Sequence, residues 1–179
     1  ATVYDFCDQA VFKLPIDGMT EITNGIDIWG SLVTYSKYTP GSEERMEVFL
    51  FDLMTCSEYQ LTNMARSGGR PSIWSNSIVW TDSRNWSRDP YYCRDLYFYD
   101  LDVWMELQLL SDPKCEHEPK TNGMYFAYTK NTAEEMYAAA DFRLRALETD
   151  EEIVLAPEWG QVGYFDISDR YVVWSQYRG

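Results

Sequence analysis

A chain of 179 residues with 45% apolar side chains has the size and the core material of one ordinary domain, which excludes two large ones. Its 29 Asp and Glu against 15 Lys and Arg leave a net charge of −14, which repels phosphate backbones and anionic lipid and so argues against nucleic acid as a partner. The same excess either steers cations and basic surfaces towards the domain or simply keeps it soluble. Neither an apolar run of membrane-spanning length nor a basic, apolar leader occurs in the N-terminal ATVYDFCDQA, so a soluble chain is expected, compatible with a mature secreted product.

Aromatic residues make up 16% of the chain, which favours strands, because flat, bulky side chains pack well on a pleated surface. In chain order, QAVFKLPIDGMTEITN (9–24) comes first and aligns without a gap to two strands that recur later, Leu14 falling on Leu53 and Ile22 on Leu61. The first full repeat follows as GIDIWG, SLVTYS, EVFLFDL and SEYQLT. The second reads RPSIWSN, SIVWTD, DLYFYDL and MELQLLS, and the third HEPKTNG, MYFAYTK, DFRLRAL and EEIVLAP. The C-terminal VGYFDISDRYVVWSQYRG repeats the first two strands and then stops.

The anchors Tyr35, Trp80, Tyr128 and Trp174 are spaced by 45, 48 and 46 residues, a period that matches a four-stranded propeller blade. The expected fold is therefore all-β: a β-propeller of four four-stranded antiparallel blades occupying 1–179 as one domain. Half-blade 1–24, blades 25–66, 67–114 and 115–160, and half-blade 161–179 are expected, the last blade being shared between the N- and C-termini. Closing the ring this way removes an exposed sheet edge. The two half-blades can equally close between chains, giving an eight-bladed ring in a homodimer.

The pattern P-x-x-W-S…IVWTDSRN…DLYFYDL…LQLL in 71–111, echoed by EVFLFDL…YQLTN, resembles the repeats of TolB-type, WD40-like β-propellers. Where that family has Asp-Gly in its first hairpin, this chain has Trp29-Gly30, Ser75-Asn76, Asn122-Gly123 and Ser168-Asp169. The resemblance implies binding of other molecules at the channel mouth or on one loop face, and a secreted or periplasmic location. It implies no chemistry.

Few catalytic tools are present. The chain has 1 His, His117, read as a surface loop residue, and no Gly-x-Ser-x-Gly elbow, so neither a catalytic residue nor a metal site nor a cofactor is assigned. Asp27, Ser72, Lys120 and Asp166 hold equivalent places in the innermost strands. They read either as a polar ring that takes a cation or a charged ligand end, or as a hydrated channel lining. One residue later, Ile28, Ile73, Thr121 and Ile167 read as blade-to-blade packing, as do the four aromatic anchors.

The longest loop, 82–94, interleaves Trp86, Tyr91 and Tyr92 with Arg84 and Arg88, a mixture suited to protein or carbohydrate ligands, or else folded back over its own blade. Asn85-Trp86-Ser87 is a formal glycosylation sequon. Cys93 and Cys115 emerge on the same face of one blade and can form a disulfide in an oxidising compartment, whereas Cys7 and Cys56 lie on opposite faces. The function expected is a non-enzymatic binding or assembly module for a protein or glycan. The alternative is a fragment or subunit of a propeller-type lyase or hydrolase.

Overall fold

The protein is described by a computed structural model covering residues 2–5, 9–14, 25–39, 45–63, 69–85, 93–110, 114–133, 139–159 and 162–176. Among these residues every regular element is a strand. A terminal hairpin pairs β1 (Thr2–Asp5) with β2 (Ala10–Lys13). The first blade is β3 (Ile26–Trp29), β4 (Leu32–Tyr38), β5 (Met46–Asp52) and β6 (Ser57–Gln60). The second is β7 (Gly69–Trp74), β8 (Ser77–Asp82), β9 (Asp95–Asp100) and β10 (Met105–Gln108). The third is β11 (Glu116–Thr121), β12 (Tyr125–Asn131), β13 (Ala140–Ala146) and β14 (Glu152–Trp159), and a last hairpin pairs β15 (Val162–Ile167) with β16 (Val172–Gln176).

Each blade is an antiparallel meander in sequence order, because short turns can join only neighbouring antiparallel strands. The turn residues follow the backbone demanded of them. Gly30, Ser75 and Gly123 hold the first hairpins with φ of 55°, 54° and 83°, and Asn122 Oδ1 accepts the N–H groups of Met124 and Tyr125 at 3.1 and 2.8 Å. The turn before the fourth strand repeats its own device: Asp52 and Asp100 accept an N–H two residues on, and Cys56, Trp104 and Asp150 take left-handed φ of 51°, 52° and 64°.

The second and third strands of the second blade are buried on both faces because a blade lies on either side of them, whereas β13 alternates Phe142 and Leu144 with Arg143 and Arg145. Val48, Leu50 and Leu61 of the first blade pack on Ile73, Ile78, Trp80, Tyr97 and Tyr99 of the second. Val79, Leu96 and Leu110 then pack on Phe126 and Tyr128, and Ala127, Phe142 and Ala156 on Phe165. Tyr35, Trp80 and Tyr128 are wholly buried, as the anchor reading requires. Trp174 is 39% exposed, since among the described residues no third strand covers β16, and it rests against Phe142. Ile28 is 50% exposed for the matching reason at the other end, whereas Ile73, Thr121 and Ile167 are buried between blades.

An unremarked repeat sits on the fourth strands, where Glu58, Glu106 and Glu152 each bind a cation of their own blade, Lys37, Arg84 and Arg143. Tyr35 and Tyr128 donate their hydroxyls to Glu58 and Glu152, and burial together with these carboxylates raises both phenols above the ordinary tyrosine range.

Successive first strands β3, β7, β11 and β15 lie side by side, which makes them the innermost strands of a propeller arc. Among the described residues no register joins β15 or β16 to β1 or β2, and β2 takes β1 as its partner, a strand that the half-blade reading of 1–24 did not include.

Candidate functional site

The innermost strands are not regular. The registers Gly69↔Thr81 to Ser72↔Val79, His117↔Thr129 to Lys120↔Ala127 and Val162↔Gln176 to Phe165↔Trp174 each carry one extra residue, at the same step in β7 and β11 and one residue earlier in β15. A bulge of this kind re-aims the side chain at its extra residue. Arg70 and Glu118 occupy it with φ of 55° and 53°, Gly25 stands at the same step of the first blade with φ 130°, and Tyr164 at that of β15. In Arg70 and Glu118 the next residue is a proline, Pro71 and Pro119, which has no N–H to leave unpaired where the ladder is interrupted.

These equivalent residues converge on one axial cleft of about 260 Å³, lined by Gly25, Arg70, Glu118, Lys120 and Tyr164 among others. It opens at the end where the first strands begin, the face that also carries the Cys93–Cys115 disulfide. Arg70 and Glu118 form an ion pair across it, both side chains about two-fifths exposed at 44% and 39%. Arg94 and His117 lie alongside. Burial, and then the Arg70 charge, push Arg94 below the usual guanidinium range. Burial, reinforced by Arg94 and Arg70, brings His117 down to about 4 against the opposing hydrogen bond to Asn131. His117 is thus a half-buried residue of β11, not a surface loop histidine: its strand is the inner strand of a blade, and the neighbouring blade covers it.

Of the polar positions expected to line the channel, three are brought together. Asp27 Oδ2 accepts the Ser72 hydroxyl at 2.9 Å and the Ile73 N–H at 3.1 Å and stands 3.7 Å from Lys120 Nζ, while Ser72 Oγ accepts the Thr121 N–H at 3.4 Å. These bonds staple each blade to the next, and they occupy the carboxylate that a cation would need. Asp166 instead accepts the N–H of Ile167 at 3.0 Å. The sequence pass missed Arg70 and Glu118. Their signal was the residue before a proline at one fixed step of two repeats.

Of the loop-face positions, Trp86, Arg88, Tyr91 and Tyr92 lie outside the described residues. Arg84 is locked into the framework: its N–H and Nε donate to Asp82 at 2.9 and 2.6 Å, its guanidinium also pairs with Glu106, and it lies 4.2 Å over the Tyr97 ring. Asn85 donates its side-chain amide to Asp95 at 2.8 Å and Tyr97 at 3.0 Å, so the sequon nitrogen is engaged in the fold. Among the described residues no cluster of three or more His, Cys, Asp or Glu suits a metal ion.

No protein-family model and no curated protein matches the chain. Solved structures do. The putative TolB of Agrobacterium tumefaciens superposes with a TM-score of 0.64 at 14% identity, over 83% of this chain and 51% of that one. Puromycin hydrolase superposes at 0.63 with 13% identity, over 93% of this chain and 27% of that one, and oligogalacturonate lyase in complex with manganese at 0.57 with 15%, over 93% and 49%. The chain spans about half or less of the length of these structures. Likeness at such identity establishes architecture, and the architecture is that of a TolB-type β-propeller.

Proposed function

We propose that the chain is a non-enzymatic binding module whose axial cleft receives a carboxylate-bearing segment of a partner protein. One observation carries this reading: Arg70 and Lys120 both line one cleft in a chain whose net charge is −14. Two cations at one cleft favour a bound anion through charge-assisted hydrogen bonds. Glu118 already sits on Arg70 as a ligand carboxylate would, so binding is an exchange of one carboxylate for another. The chain's overall negative charge does not forbid this, because at physiological salt charges beyond about 8 Å are screened.

Calorimetric titration with a peptide ending in several Glu, and with its Lys counterpart, tests the reading. The acidic peptide is expected to bind, more weakly in high salt, with Arg70→Gln lowering affinity about tenfold and Glu118→Gln raising it. Preference for the basic peptide, or indifference to Arg70→Gln, rejects it.

The Cys93–Cys115 pairing favours an oxidising compartment, secreted or periplasmic. Closure between two copies through exchanged terminal half-blades is the assembly reading, read out by solution mass. A second functional reading, a part of a propeller-bearing hydrolase or lyase, draws on the likeness to puromycin hydrolase and oligogalacturonate lyase. It predicts activity only where a further catalytic segment is supplied.

A further inference from the structure

We propose that a lateral groove between the first and second blades, far from the axial cleft in the fold's layout, binds an uncharged oligosaccharide on the indole of Trp104, which Tyr59 buttresses from the first blade. The groove has a volume of about 620 Å³ and is lined by Gln60, Asn63, Arg84, Tyr99, Trp104 and Glu106 with the backbone run between the first two. That volume falls within the range of small-ligand sites, roughly 300–1,000 Å³.

Trp104 is the first observation. It stands at the left-handed step of the turn before β10, where the other blades have Cys56 and Asp150. Asn, Asp and Gly suit that backbone, and a bulky aromatic does not, so the local preference of the chain is overridden here. The ring does not disappear into the core in compensation: Trp104 remains 52% exposed and Tyr59 40%. Tyr59 meets the indole at 5.4 Å and 60°, and Tyr99 at 6.3 Å and 85°. Neither tyrosine stacks parallel on it, and the half-exposed indole lines the groove. The matching blade contact has Leu107 where the first blade has Tyr59, so the aromatic pair is special to this interface.

Charge is the second observation, and it selects the ligand. Arg84 is held by both Asp82 and Glu106, which leaves no unbalanced cation for an acidic sugar, and the chain's net charge of −14 adds to that disfavour. The other polar groups at the rim are carboxamides. Gln60 donates to the Thr62 carbonyl at 2.6 Å, which leaves its oxygen as an acceptor, and the exposed Asn63 amide has no side-chain hydrogen bond among the described residues. A pyranose ring fits this combination: its C–H face, positive at the edge of each bond, lies on the negative π face of the indole, and its hydroxyls both donate to and accept from amides and the Glu106 rim.

The test is titration of the whole chain with cellotetraose, xylotetraose, chitotetraose and maltotetraose, with tetragalacturonate as the charged control, followed by calorimetry and by the tryptophan indole N–H resonances. At least one neutral tetrasaccharide is expected to bind, shifting one indole resonance. Trp104→Asn, which suits the left-handed step, is expected to keep or raise the unfolding temperature while weakening binding about tenfold or more. Tyr59→Ser provides the same readout without touching the turn, and Arg70→Gln leaves saccharide binding unchanged. No binding by any neutral sugar at about 10 mM, binding of tetragalacturonate alone, or unaltered affinity in both aromatic variants overturns the proposal.

Discussion

Arg70 and Glu118 stand at the same step of consecutive inner strands, both with left-handed backbone, and their side chains meet over the axial cleft. Two non-glycine residues in this conformation each cost about 1 kcal/mol relative to glycine, which their exposed ion pair, worth about 0–1 kcal/mol, does not recover. The stability of the domain therefore gains nothing from them.

Arg70→Gly is accordingly expected to leave the thermal midpoint unchanged or raise it, while Arg70→Ala, which retains the strained backbone, does not raise it. Both lose the acidic peptide. Circular dichroism melts alongside calorimetry separate the two effects, and a Gly variant that melts well below the parent contradicts the assignment of strain.

Gly25 closes the same ring of equivalent positions and behaves oppositely. A Cβ there would lie 2.8 Å from Arg70 Cα and 3.3 Å from Pro71 Cδ, and φ is 130°. Gly25→Ala is expected to destabilise the domain by about 1–3 kcal/mol, measured as a lower urea midpoint at unchanged slope.

The His117 imidazole gives the domain a pH signature. Its folded value of about 4 lies below the ordinary histidine value of 6.5, so between these the unfolded chain binds more protons. Stability from this group is complete above about pH 6.5 and is lost as pH falls towards 4, at most ~3 kcal/mol and less where water reaches the ring. Urea denaturation across that window is expected to show the slope, and His117→Gln to remove its share of it.

Reduction of the Cys93–Cys115 bridge opens a loop with a sequence separation of 22 residues. In the chain-entropy account such a loop contributes about 3 kcal/mol, so the reduced protein should unfold at distinctly lower denaturant. Equal midpoints with and without reductant would show that the bridge does not constrain the unfolded chain.

Trp80 and Trp174 hold the same place in their repeats but not the same environment, at 0% and 39% exposure. Trp80→Ala is expected to cost about 3–5 kcal/mol, and Trp174→Ala distinctly less because part of its ring is already in water. Comparable losses at both positions would indicate that a further strand covers β16.

Much of this protein was written in local pattern. The near-constant spacing of Tyr35, Trp80 and Tyr128, the recurring apolar-aromatic runs and the turn pairs of each hairpin specify four-stranded blades, because strand patterning and turn chemistry act between near neighbours in the chain. The axial site was not legible in that way. One extra residue in β7 and β11 shifts the alternation and turns Arg70 and Glu118 towards the axis, and the charges that act on His117 come from Arg94 and Arg70 of the preceding repeat. The same holds for Asp27, whose role in joining blades is visible only once Ser72 and Ile73 are beside it, and for Trp104, which Tyr59 of the preceding blade meets at a tilt of 60°. Sequence alone determined the blades, because their strands are held by contacts short in chain distance; tertiary structure decided the sites, because each is assembled where the side chains of different blades meet.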